Sequence, residues 1–138
     1  MKPCRLALFL LTLCLLLPAC GSSLPQTTRE TAYAGPSLVI DSTGPTHAII
    51  IQAPTPGHTV SLDAVRDRLG GREALITIRQ PDPRFMVAQV IVTQRIGTDV
   101  PTSISLDVFV RQLAFDSREN RVYVFVESSG GGAGTASP

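Results

Sequence analysis

Tryptophan is absent, lysine occurs once, and the three cysteines of this 138-residue chain fall at positions 4, 14 and 20. Aromatic residues make up 5% of the chain, and there are two histidines, His47 and His58. Beyond Cys20 no cysteine is left to build a disulfide framework, a thiolate nucleophile or a Cys/His metal site. With the first 19 residues set aside, ten Arg face eleven acidic residues, a formal charge of −1, which leaves no basic footprint for nucleic acid. The sequence has no Gly-x-Ser-x-Gly elbow, no Gly-rich phosphate loop and no Asp-rich calcium loop. His47 opens the apolar run Ala48-Ile49-Ile50-Ile51, where a strand-end imidazole is expected to be structural. Asp63 and Asp67 stand beside Arg66 and Arg68 and are read as a neutralised, solvated cluster. The expectation is a chain that is not an enzyme, with no metal and no cofactor.

The N-terminus is richer. Lys2 and Arg5 precede an apolar stretch from Leu6 to Leu17, broken only by Thr12 and Cys14. It is too short to span a bilayer and reads as a signal peptide. Leu17-Pro18-Ala19-Cys20-Gly21-Ser22 resembles the bacterial lipobox, with Pro18 in place of the commoner Ala or Ser. That resemblance implies a lipoprotein: a thioether-linked diacylglycerol on the Cys20 sulfur, cleavage before Cys20, and a further acyl chain of the palmitate class on the new amine. Two or three chains anchor a protein durably where one does not. Gly21 and Ser22 lack the Asp that retains many such proteins in the inner membrane, so the expected location is the bacterial cell envelope, on an outer membrane facing the periplasm or the cell surface.

The remaining chain divides by composition. Residues 20–35 are polar and unpatterned and are expected to form a flexible, lipid-anchored tether. Residues 128–138 form a Gly/Ser-rich tail. Between them, residues 36–127 are β-branched runs separated by Gly, Pro, Asp and Asn signals. The strands expected are Ser37–Asp41, His47–Ala53, Thr59–Val65, Glu73–Gln80, Met86–Arg95, Ser103–Phe115 and Arg121–Glu127, with Gly97–Pro101 among the breaks. Asp63–Leu69 carries a second reading as a short helix, with Val65 and Leu69 at i, i+4. Alternation is clearest where Ile104, Leu106, Val108 and Val110 are answered by Val122, Val124 and Val126, which predicts a hairpin across Asp116–Asn120 with an aliphatic face to the core. The fold class is all-β, a small antiparallel sandwich of immunoglobulin-like or similar type.

Two connections stand out as binding candidates. Pro54-Thr55-Pro56-Gly57-His58 joins two apolar strands and offers Thr55, Gly57 and His58; Pro81-Asp82-Pro83 precedes Arg84 and Phe85. Rigid loops at the ends of a sandwich are where binding residues sit, and preset turns lose little entropy on association. The series of apolar strand, Thr55-Pro56-Gly57-His58 turn, strand, Pro81-Asp82-Pro83 turn and Met86-Val87-Ala88-Gln89-Val90 resembles the C-terminal domain of PrcB, a lipoprotein subunit of a bacterial subtilisin-like protease complex. The likeness covers Ala48 to Gln94. In it Pro56 stands for a Gly and His58 for a Tyr, and the family's Pro-Tyr is missing around Thr93 to Ile96. It implies an envelope β-domain that binds and supports another protein, without catalysis of its own, as an accessory subunit of a protease complex. The same Pro54–His58 loop also looks like the Asn-Pro-Thr-Thr-Gly-Tyr loop of chagasin-type inhibitors of cysteine proteases, with Ala53 where that family has Asn and no counterpart of its Trp-containing loop. An inhibitor, or a structural lipoprotein, is the alternative.

Overall fold

The structure is a computed structural model that describes residues 24–130. The signal peptide, Cys20 and most of the Gly/Ser tail lie outside the described residues.

Eight strands follow one another: β1 (Thr27–Thr28), β2 (Leu38–Asp41), β3 (Thr46–Ala53), β4 (Thr59–Arg68), β5 (Gly71–Arg79), β6 (Val92–Pro101), β7 (Leu106–Leu113) and β8 (Tyr123–Ser129). They form a five-stranded sheet in the order β1-β8-β7-β5-β4 and a three-stranded sheet in the order β2-β3-β6. The two sheets pack as an all-β sandwich, and among the described residues there is no helix. Because β6 crosses to the smaller sheet, β5 lies beside β7 and pairs with it in parallel, from Arg72 opposite Leu106 to Arg79 opposite Leu113. A second parallel pair joins β1 to β8, so the larger sheet is mixed where a purely antiparallel one was expected.

The core lies between the sheets. Ile49 and Ile51 of β3, Ala74, Ile76 and Ile78 of β5, and Leu106, Val108 and Val110 of β7 fill it, each essentially buried. This is the period-2 pattern expected of strands with one face inward. The hairpin of β7 and β8 also forms as the alternation predicts, with a register shift at Val108/Phe109.

Five departures from the sequence reading have identifiable causes. Residues 81–91 stay outside any ladder, and strand begins only at Val92; Pro81 and Pro83 supply no N–H, and the Asp82 carboxylate captures the Arg84 N–H at 2.9 Å. Gly97–Pro101, expected as a break, continues β6: the ladder shifts register between Thr46 and Ala48, Asp99 takes φ 56°, and Thr98 donates its hydroxyl to the His47 carbonyl at 2.8 Å. Asp63–Leu69 is not helical; β4 runs extended through Arg68, with Asp63 the extra residue of a bulge between Leu62 and Ala64, opposite Ile76 and Leu75 of β5. Finally, residues 25–34 are held against the domain. Tyr123 N–H donates to the Gln26 carbonyl at 2.9 Å, Arg66 to the Pro25 carbonyl at 3.0 Å, Gln112 to the Ala34 carbonyl at 3.1 Å, and Tyr33 packs on the core. At the other end β8 outlasts Glu127, because Ser128 donates to Asp107 at 2.7 Å and Ser129 accepts from Leu106 N–H at 3.0 Å.

The outer face of the five-stranded sheet is laid out in rows across neighbouring strands. Ala64, Leu75, Phe109 and Phe125 form an apolar row, with the two phenyl rings edge to face at 5.6 Å. On one side Thr77 and Tyr123 both donate to Asp63, and the Arg111 guanidinium lies 4.6 Å from the Tyr123 ring. On the other, Asp107, 1% exposed, accepts from Arg29, Arg68 and Ser128. Arg29 also spans the Phe109 and Phe125 rings at 5.2 and 4.3 Å. The strap carrying Arg29 thus roofs the apolar row, and Phe109 is 2% exposed although it points away from the main core.

Candidate functional site

Sheet pairing brings the two singled-out loops to one end of the sandwich. Residues 54–58 join β3 to β4 and residues 80–91 join β5 to β6; Thr59 and Arg79 are paired at the mouths of the two loops. Gly57 is the contact point. A Cβ there would lie 2.7 Å from Pro81 Cβ and 2.9 Å from Val87 Cγ1, so only glycine allows the two loops to approach this closely.

The first loop closes on itself. His58 N–H donates to the Thr55 carbonyl at 3.3 Å, and the Thr55 hydroxyl shares a 2.9 Å hydrogen bond with His58 Nδ1. Thr55 is buried, so its side chain orders the loop and is not displayed to a partner. The His58 carbonyl accepts from Gln94 Nε2 at 3.0 Å, which ties the loop to β6.

The second loop is built around Asp82. Its backbone carbonyl accepts from Phe85 N–H at 3.2 Å, and its carboxylate takes Arg84 Nε at 3.0 Å and a terminal nitrogen of Arg84 at 2.6 Å. The paired guanidinium holds the Asp82 carboxyl below the usual carboxylate range. Arg84 also reaches toward Phe115, with its guanidinium carbon 6.0 Å from the ring centroid. Beyond this turn Phe85 is 69% exposed and Met86, Val90 and Ile91 project from the same segment. Sequence reasoning selected Phe85 but placed Met86 and Val90 in a strand; the two prolines ahead of them were the available signal that no strand starts there.

Beside the loops a cavity of about 480 Å³ opens between the sheet ends. Ser37, Gln52, His58, Gln80 and Gln112 contribute polar groups to its wall, and Ile78 and Ile91 contribute apolar surface. Its lining residues include no Asp, Glu, Lys or Arg. Amides that both donate and accept, set among apolar walls, suit an uncharged polar group such as a peptide main chain. Of the residues selected from sequence, His58 lines this cavity, Gly57 locks the loops together, Phe85 is displayed, and Arg84 is engaged by Asp82.

His47 stands apart from the site. It is buried, with Nδ1 2.8 Å from the Ser42 hydroxyl and Nε2 2.8 Å from the Ile104 carbonyl, so both ring nitrogens serve the fold. The Asp63 and Asp67 neighbourhood is likewise structural in Asp63, which is drawn into the Tyr123–Thr77 network. Comparison with protein-family models, with curated proteins and with solved structures finds no match to this chain.

Proposed function

We propose that this protein is a lipid-anchored envelope module whose β-sandwich binds and supports another protein, in the manner of an accessory subunit of a protease complex, through the end where residues 54–58 and 81–91 meet. The observation that carries this reading is the display of Phe85, Met86, Val90 and Ile91 on a short segment braced by Asp82 and Gly57, next to an uncharged cavity. Exposed apolar side chains on a rigid support gain burial on association without a large ordering cost. The role assigned to Cys20 is the anchor, and the role assigned to the protein is binding, not turnover.

The test places a photo-crosslinking residue at Phe85 or Met86 in the lipidated protein and identifies adducts by mass spectrometry, with exposed Ser103, on the β6–β7 connection at the opposite end of the sandwich, as the control position. One partner trapped in stoichiometric yield at positions 85 and 86, and not at 103, is the expected result. Phe85→Ala and Met86→Ala should each weaken capture about tenfold, as loss of an interface anchor commonly does, while melting stays unchanged because neither side chain is packed. Capture that is indifferent to both substitutions would refute the loop assignment.

A further inference from the structure

We infer that residues 85–91 are a docking strand for a second copy of this chain, which pairs its own 85–91 antiparallel to them about a two-fold axis at Ala88. The inference goes beyond the proposed function: the second copy covers the segment that another protein would take, and neither occupant depends on the other.

The first argument is the state of the main chain. Residues 86–91 run into β6 without turn or bend, yet no ladder includes them. Among the described residues, none of their backbone N–H or C=O groups has a hydrogen-bond partner. β6 is itself an end strand of its sheet, so the bare edge continues along it. Another strand satisfies such an edge through main-chain hydrogen bonds. The run is also braced, with Val87 seated against Gly57, so it loses little freedom on pairing.

The second is charge. From Phe85 to Gln94 there is no Asp, Glu, Lys or Arg. The flanking Arg84 and Arg95 are taken up by Asp82 and Asp41. A strand that pairs with its own copy repeats any charge it carries across the axis, and like charges set opposite repel. This run meets its copy without that repulsion.

The third is the symmetry of the exposed positions. With Ala88 on the axis, Met86 faces Val90 of the second copy and Phe85 faces its Ile91. These are the four large apolar side chains that the segment exposes, and each meets an exposed apolar mate. With the axis at Gln89, Phe85 faces Thr93; with it at Val87, Val90 faces Arg84. Ala88 is therefore the register that pairs all four, and its small side chain lets the strands close at the centre. One short strand pair is small for a permanent dimer, so the association is reversible and concentration-dependent.

The experiment oxidises the full-length protein in the cells that express it and reads disulfide-linked dimer on a non-reducing gel. Single cysteines are introduced by Ala88→Cys, Met86→Cys or Ser103→Cys, and the unsubstituted chain sets the baseline for Cys20. Residues opposite each other on paired strands lie about 5 Å apart, within disulfide range. The two copies of position 86 lie about 14 Å apart in this register. Most of the Ala88→Cys chain should run as dimer, with Met86→Cys and Ser103→Cys at baseline. Adding Met86→Lys to Ala88→Cys should abolish the dimer, and adding Val90→Glu as well should restore it, because 86 and 90 meet only across the axis. No dimer at 88, equal linkage at 86, or a dimer indifferent to the charges overturns the strand pairing. Another protein captured at 85 and 86 without self-linkage at 88 overturns this inference and leaves the proposed function standing.

Discussion

The Asp107 carboxylate is 1% exposed and is held by two guanidiniums and a hydroxyl. Asp107→Ala leaves Arg29 and Arg68 facing each other without the charge that joins them. Because both arginines keep contact with water, the loss should fall below that of a fully buried ion pair, at about 2 to 3 kcal/mol in denaturant unfolding. Tyr33 predicts a pH effect. Burial pushes its hydroxyl up to about 12, and Tyr123 is raised in the same direction by burial and by its bond to Asp63. In the unfolded chain these phenols ionise near 10, so above that pH the folded state holds more protons and stability falls with pH. The contribution is complete below pH 10 and disappears as the pH passes 12. With two Tyr and no Trp in the chain, tyrosinate absorbance follows both groups directly. Tyr33→Phe should flatten the alkaline loss of stability.

At the scale of elements, Gly57 and the strap make the sharpest predictions. Gly57→Ala forces a methyl into Pro81 and Val87 and should cost about 1 to 3 kcal/mol as an overpacked contact. Because it parts the loops, it should also weaken partner capture in the crosslinking assay. A chain beginning at Ser37 loses β1, the Arg29 roof and Tyr33, and should unfold at lower denaturant than one beginning at Leu24, by about 3 kcal/mol. Equal midpoints would mean that the strap adds nothing. The strap also marks where sequence reading stopped. Strands with a clean period of two, such as β3, β7 and β8, were legible because burial on one face writes itself into alternate positions. Residues 25–34 were not, since their order comes from distant partners: Arg66 and Asp107 are 41 and 78 residues away from the groups they hold. The same holds for Asp63, whose bulge is set by its register against β5, and for Met86–Val90, where an apolar run reads as a strand although no neighbouring strand is there to pair with it. The site was legible as two loops flanked by proline; that they touch at Gly57 follows only from the pairing of β4 with β5.

On the scale of the whole molecule, the two ends of β4 carry unlike surfaces. One end holds exposed Leu69 on the β4–β5 turn; the other holds the uncharged cavity and the displayed apolar segment. A third surface, the outer face of the larger sheet, is sealed by the strap.

The parallel pairing of β5 with β7 also bears on how the chain reaches this state. Thr77 and its neighbour Arg111 are 34 residues apart, so the centre of the larger sheet cannot zip from a turn. It closes only when segments this far apart in sequence meet, and until then one edge of the β4–β5 hairpin and one edge of the β7–β8 hairpin stand unpaired. Contacts this distant in sequence place refolding on the millisecond-to-second scale, with a lag in burial of Tyr123 relative to formation of the β4–β5 hairpin. The chain passes that interval in its most adhesive form, and stopped-flow refolding would measure how long the interval lasts.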